Sequence, residues 1–269
     1  MWSRIIEQLA GIEVQHGVKI LYACESGSRA WGFASTDSDW DIRFLYVHPQ
    51  NWYLAVDLER KRDVIEMPIT DNLDFSGWDL RKALQLFYKS NPPLIEWLHS
   101  PIVYRDENGL ADRLRQLLGR FYSPRSCYYH YLHMAKGNYR EYLRGDRVWL
   151  KKYLYVLRPL LALEWMNQSP QPVPVRFDKL LNAVLPRGSV RRAIDQLLRA
   201  KTQGMEGKYG PTIPIINRFI ETELDRLKRL TEQQEKREND IEELNKVFRG
   251  MVENVGKDTL KKCAKENPP

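Results

Sequence analysis

The run Gly27-Ser28-Arg29-Ala30-Trp31-Gly32, followed shortly by Ser38-Asp39-Trp40-Asp41-Ile42-Arg43-Phe44-Leu45-Tyr46-Val47, constrains this chain more than any other segment. The apolar stretch Val18–Cys24 ahead of it reads as a buried strand, and Asp39–Val47 reads as a second. A Gly-Ser turn between strands can hold a phosphate, because glycine lets the backbone turn sharply and approach closely. Two carboxylates one residue apart on a strand point to the same face. Carboxylates on one face beside a phosphate cradle suit Mg²⁺ bound to a nucleoside triphosphate.

The rest of the pattern predicts an α+β fold, with a small mixed-sheet domain followed by an all-helical domain. Residues 2–15 carry Ile5, Ile6, Leu9 and Ile12 at helical spacing, and Gly17 ends that helix. Arg62–Met67 and Leu73–Phe75 are strand candidates, and Ser76 or Asp79 caps a helix running to Lys89. Asn91-Pro92-Pro93 stops it, and Leu94–Leu98 starts another. Beyond that point the periodicity predicts helices over Leu110–Phe121, Pro124–Arg144, Val148–Met166, Phe177–Leu185, Val190–Ala200, Ile213–Gln233 and Asp240–Val255, with fraying from Lys257 on. The domains expected are residues 1–105, a helical domain over 106–233, and a charged C-terminal helix and tail over 234–269.

Composition excludes several classes. Of 269 residues 43% are hydrophobic, enough for an ordinary core and against chain-wide disorder. No stretch approaches the roughly 20 apolar residues of a membrane span, so no membrane partner is expected. Glu7 falls where a signal peptide needs an apolar run, and the three cysteines show no metal-ligand spacing. Reduced thiols in a cytoplasmic protein are therefore expected. The net charge of +7 suits polyanionic partners such as nucleic acid or nucleotides.

Nucleotidyl transfer needs charge neutralisation and alignment more than covalent chemistry, and two carboxylate-held Mg²⁺ ions supply both. Asp39 and Asp41 are placed to bridge such metals. The third carboxylate is Asp74 or Glu66, each a polar residue between apolar neighbours. Asp74 is favoured because its strand ends in a turn before a helix, while Asp79 reads as a helix N-terminal residue. Gly27 and Ser28 form the phosphate-binding pair, and Arg29 adds charge. A calcium-loop reading of Asp37, Asp39 and Asp41 fails, because Ile42 stands where that loop needs glycine.

These motifs together resemble the DNA polymerase beta nucleotidyltransferase superfamily. More narrowly, Glu25–Phe33 with Ser38–Phe44, Gly77–Leu84, Lys89–Pro92, Glu96–Pro101 and Lys151–Pro159 resemble a bacterial and phage nucleotidyltransferase family linked to RNA repair. The resemblance implies Mg²⁺, or Mn²⁺ in its place, held by Asp39, Asp41 and Asp74, with a nucleoside triphosphate as substrate. It also implies that the helical domain lends basic and aromatic residues to the nucleotide cleft, with Lys136, Lys152, Tyr153 and Arg158 the candidates in this chain. RNA ends fit the charge as acceptor. A protein or small-molecule acceptor, or a non-catalytic nucleotide- or RNA-binding module, is the alternative.

Overall fold

The structure, a computed structural model, describes the backbone of residues 1–204, 209–230 and 240–266, and the side chains of all these except 230 and 256–266. The chain opens with α1 (Trp2–His16), β1 (Lys19–Glu25), α2 (Gly27–Trp31), β2 (Trp40–Val47), α3 (Gln50–Tyr53), β3 (Val64–Glu66) and β4 (Leu73–Asp79). Then come α4 (Leu80–Tyr88), α5 (Pro92–Leu98), β5 (Val103–Asp106), α6 (Leu110–Phe121) and α7 (Pro124–Tyr142). The remainder is β6 (Arg147–Trp149), α8 (Lys152–Gln168), α9 (Phe177–Val184), α10 (Ser189–Thr202), β7 (Tyr209–Pro211), α11 (Pro214–Leu230) and α12 (Glu242–Glu266). The fold is mixed α+β, as the residue pattern predicts.

Five strands form one sheet in the order β3-β4-β2-β1-β5. β2 and β4 run parallel, and the other neighbours are antiparallel. β1 lies inside the sheet, and Ile20 through Cys24 are fully buried, which explains why it reads as a continuous apolar run. On one face α1 buries Ile5, Leu9 and Ile12 against Ile42, Phe44 and Tyr46. Each such side chain contributes about 1.5–3 kcal/mol. The opposite face is covered by α4, α5, α6 and, from the far end of the chain, α12.

A second core forms where α7 and α8 pack together with α9, α10 and α11. Trp31 and Phe33 reach into it from the segment after β1, and Phe33 meets Phe177 edge-on at 5.5 Å. The Gly-Ser turn is thereby wedged between the sheet and the helical core.

Several local expectations shift. β4 runs seven residues rather than three, so Ser76 lies inside a strand, and Asp79 is the cap: its carboxylate accepts from Arg81 N at 2.8 Å. β5 stands where the sequence shows only a closing turn. Val148 and Trp149 belong to a strand instead of a helix start, because they pair with Gly210 and Tyr209, about sixty residues on in sequence, across β6 and β7. α12 continues to Glu266 where fraying is expected from Lys257. Most of the charged stretch Glu232–Glu243 lies outside the described residues, as do residues 231–233 of the predicted Ile213–Gln233 helix. Cys24 and Cys127 are buried thiols, each pushed up to about 12 by burial, whereas the Cys263 side chain falls outside the described ones. Among the described residues no helix is long and apolar enough to cross a membrane.

Candidate active site

Register brings the carboxylates together. β2 and β4 pair so that Asp41 lies opposite Asp74 on the adjacent parallel strand. The preceding Asp39 is exposed just outside the start of β2. Glu66, the alternative third carboxylate, sits one strand further out opposite Ser76, and its exposed side chain pairs with Arg62. Burial raises the pKa of Asp41, the nearby Arg43 lowers it, and the neighbouring charges of Asp74 and Asp39 raise it again. The three acids thus share one electrostatic field at one end of the sheet.

Gly27 faces this cluster directly. Its φ is +55°, a conformation that L side chains rarely adopt, and a Cβ there would lie 2.0 Å from Asp41 Oδ2. Glycine is required twice over, for the backbone angle and for the approach to the carboxylate. Ser28 is buried in α2. Arg29 turns back onto the loop that carries Asp39, donating to the Ser38 carbonyl at 2.6 Å and the Asp39 carbonyl at 3.1 Å. Its guanidinium lies over the Trp40 ring at 3.9 Å.

The helical candidates divide. Lys152 is half-buried, with its amine over Tyr142 at 4.0 Å and Tyr155 at 5.1 Å, and burial lowers its pKa. Tyr155 in turn meets Trp31 of α2 at 5.5 Å. Tyr153 is wholly buried: its hydroxyl donates to Asn217 Oδ1 and accepts from Ile213 N. Arg158 is 2% exposed, ion-paired with Glu96, and lies over Trp31 at 4.7 Å. The structure leaves neither Tyr153 nor Arg158 an open face for a ligand, so neither reaches the cleft as the resemblance implies.

The donor set is one of hard carboxylate oxygens, which suits Mg²⁺. Among the described residues, however, no three His, Cys, Asp or Glu side chains converge closely enough to hold a metal ion. Mg²⁺ commonly uses one or two carboxylates together with substrate phosphates and water. Asp39 and Asp41 are carboxylates of the kind that mode uses.

Residues 1–250 match the RNA repair pathway DNA polymerase beta family, RlaP. The chain belongs to this family. It is 46% identical over 259 residues to the uncharacterized protein YcgL of Bacillus subtilis (strain 168), covering 96% of this chain and 99% of the relative. It also aligns with the crystal structure of a nucleotidyltransferase-like protein from Exiguobacterium sibiricum 255-15. That alignment covers 85% of this chain and 75% of the other, at 13% identity and a TM-score of 0.31. The RlaP match takes in the sheet, the Gly-Ser turn and the helical core. Membership places the chain among polymerase beta-type nucleotidyltransferases.

Four residues of this RlaP member matter to the site without having been singled out by their spacing. Glu25, fully buried, accepts from Asp41 N at 2.9 Å and from the Tyr104 hydroxyl at 2.5 Å, and burial raises its pKa. It fixes the backbone that presents Asp41, and a glutamate closing an apolar run was its only signal. Arg43 donates to both Asp41 and Asp74; strand alternation places it on their face. Lys201 of α10 donates to Ser35 Oγ and Ser38 Oγ at 3.0 Å each, tying the Asp39 loop to the helical core. Glu96 of α5 accepts from Arg158, from Tyr131 at 2.9 Å and from Trp31 at 3.3 Å. Nothing local in the sequence announces these last two contacts.

Proposed function

We propose that the chain is a metal-dependent nucleotidyltransferase that moves a nucleoside monophosphate from a nucleoside triphosphate to an acceptor hydroxyl, an RNA end, releasing pyrophosphate. The observation that carries this reading is Asp41 beside Asp74 on parallel strands, with Asp39 at their open end and Gly27 against Asp41 Oδ2. The family's RNA repair description and the net charge of +7 support RNA as acceptor.

Asp39 and Asp41 would hold Mg²⁺ or Mn²⁺, while Asp74, the third carboxylate, is tied to Asp41 through Arg43; bound to Asp39 and Asp41, the metal would neutralise the triphosphate and polarise the reacting P–O bond. Gly27 leaves the approach to Asp41 free of a side chain. Ser28 contributes a hydroxyl and backbone N–H groups to the phosphates. Arg29 holds the Asp39 loop and adds positive charge, and Lys152 with its aromatic neighbours faces the nucleotide. Arg158 and Tyr153 act from within the core, keeping α8 and α2 in place. The buried thiols of Cys24 and Cys127 suit a cytoplasmic enzyme.

The test is transfer of label from each α-labelled nucleoside triphosphate to a panel of RNA ends, with Mg²⁺ or Mn²⁺. Label should move to RNA in the wild type and fall at least a hundredfold in Asp39→Ala/Asp41→Ala. Transfer that persists in the double variant sinks the carboxylate assignment.

A further inference from the structure

We infer that Arg43 is a resident cation that keeps the Asp41–Asp74 pair closed to a second divalent ion. This rests on the carboxylate site proposed above and refines it. One guanidinium nitrogen, Nη2, donates to Asp41 Oδ1 at 3.0 Å and to Asp74 Oδ2 at 2.8 Å. The other, Nη1, donates to the carbonyls of Ile42 at 3.2 Å and Asp74 at 3.1 Å. Four bonds from one planar group hold the cation between the two strands in a way a point charge could not.

Asp41 therefore has two working sides. Oδ2 faces Gly27, while Oδ1 is engaged by Arg43. The three side chains are 18%, 23% and 26% exposed for Arg43, Asp41 and Asp74, so water screens their charges only in part. Two adjacent carboxylates in such a place need a cation between them. A guanidinium and a divalent ion are alternative ways of meeting that need, and Arg43 already fills the position. A divalent ion on Asp39 and the Oδ2 side of Asp41 is compatible with Arg43; one shared by Asp41 Oδ1 and Asp74 is not.

The sign of the effect separates this role from a merely structural one. If Arg43 only shaped the site, removing it would weaken ion binding; as a competitor, its removal strengthens binding. Mn²⁺ titration of the full chain, followed by electron paramagnetic resonance, reads this without turnover. The wild type should bind one Mn²⁺, lost in Asp39→Asn. Arg43→Gln should bind a further Mn²⁺ roughly tenfold tighter than any second step in the wild type, and Arg43→Gln/Asp74→Asn should lose it. Arg43→Lys keeps the charge but cannot span both acids, so it should fall between the two; it carries the test if the glutamine variant does not fold. An Arg43→Gln isotherm equal to or weaker than the wild type overturns the inference while leaving the proposed function standing. Absence of Mn²⁺ binding in the wild type and both Arg43 variants overturns both.

Discussion

At Gly27 two independent restrictions meet, a positive φ and a carboxylate oxygen where any Cβ would have to stand. A Gly27→Ala substitution must therefore move Asp41 or the turn. We expect a loss of about 1–3 kcal/mol in unfolding free energy. Label transfer should fall far more than that loss of stability accounts for, as checked by urea unfolding beside the transfer assay. The sequence shows Gly27 as a turn residue; only the folded chain shows that its neighbour is Asp41. The choice between Asp74 and Glu66 was likewise open to alternation alone, since both are polar residues in apolar surroundings. Strand register separates them, placing Asp74 beside Asp41 and leaving Glu66 with Arg62. Asp74→Ala should then abolish transfer, whereas Glu66→Ala should retain it; the opposite outcome reverses the assignment.

Among elements, α2 is held from both sides. Trp31 and Phe33 enter the helical core, Ser26 N donates to the Asp41 carbonyl at 2.8 Å, and Glu96 gathers Arg158, Tyr131 and Trp31. Arg158 has almost no contact with water, so Arg158→Ala leaves the Glu96 carboxylate without its cation in a nearly dry place. Breaking such a pair costs about 3–5 kcal/mol. Arg158→Met/Glu96→Gln should recover part of that loss, as read by the urea midpoint, because it removes the orphaned charge. Equal midpoints for Arg158→Ala and the wild type would show that the pair has no structural role. A basic residue on an apolar helix is legible as unusual, but whether it meets a ligand or a buried acid depends on a partner more than sixty residues distant in sequence. The helices themselves were readable because their apolar spacing is local. β6 was not, because its partner β7 is supplied by a remote segment.

Across the whole molecule, α12 returns to the sheet. Leu244, Val247, Met251 and Val252 join the core formed with Leu45, Leu80 and Leu84, and Phe248 meets Tyr53 edge-on at 4.9 Å. Truncation before residue 240 should lower stability by at least ~5 kcal/mol from these aliphatic contacts, seen as a reduced thermal midpoint; an unchanged midpoint would show that the helix is dispensable. Tyr53 donates to the buried Asp79, whose pKa burial pushes up to about 6 from 3.8. Because the folded value lies above the unfolded one, folding favours the protonated acid. The resulting stabilisation is present near pH 4 and is lost as pH rises through 6. Asp79→Asn should remove a pH-dependent difference on the order of 2 kcal/mol between pH 4 and pH 7, measured by urea unfolding at both; an identical pH slope in the variant would exclude this origin. By itself the sequence determined the α+β class, most helices, the Gly-Ser turn and the Asp39–Asp41 spacing, since each depends on residues within a few positions of one another. Tertiary structure alone decided which acid stands beside Asp41, that Arg43 lies between them, that Tyr153 and Arg158 face inward, and that the chain's last helix covers its first sheet. Those outcomes are set by strand register and long-range packing, which bring together residues that carry no mutual signal along the chain.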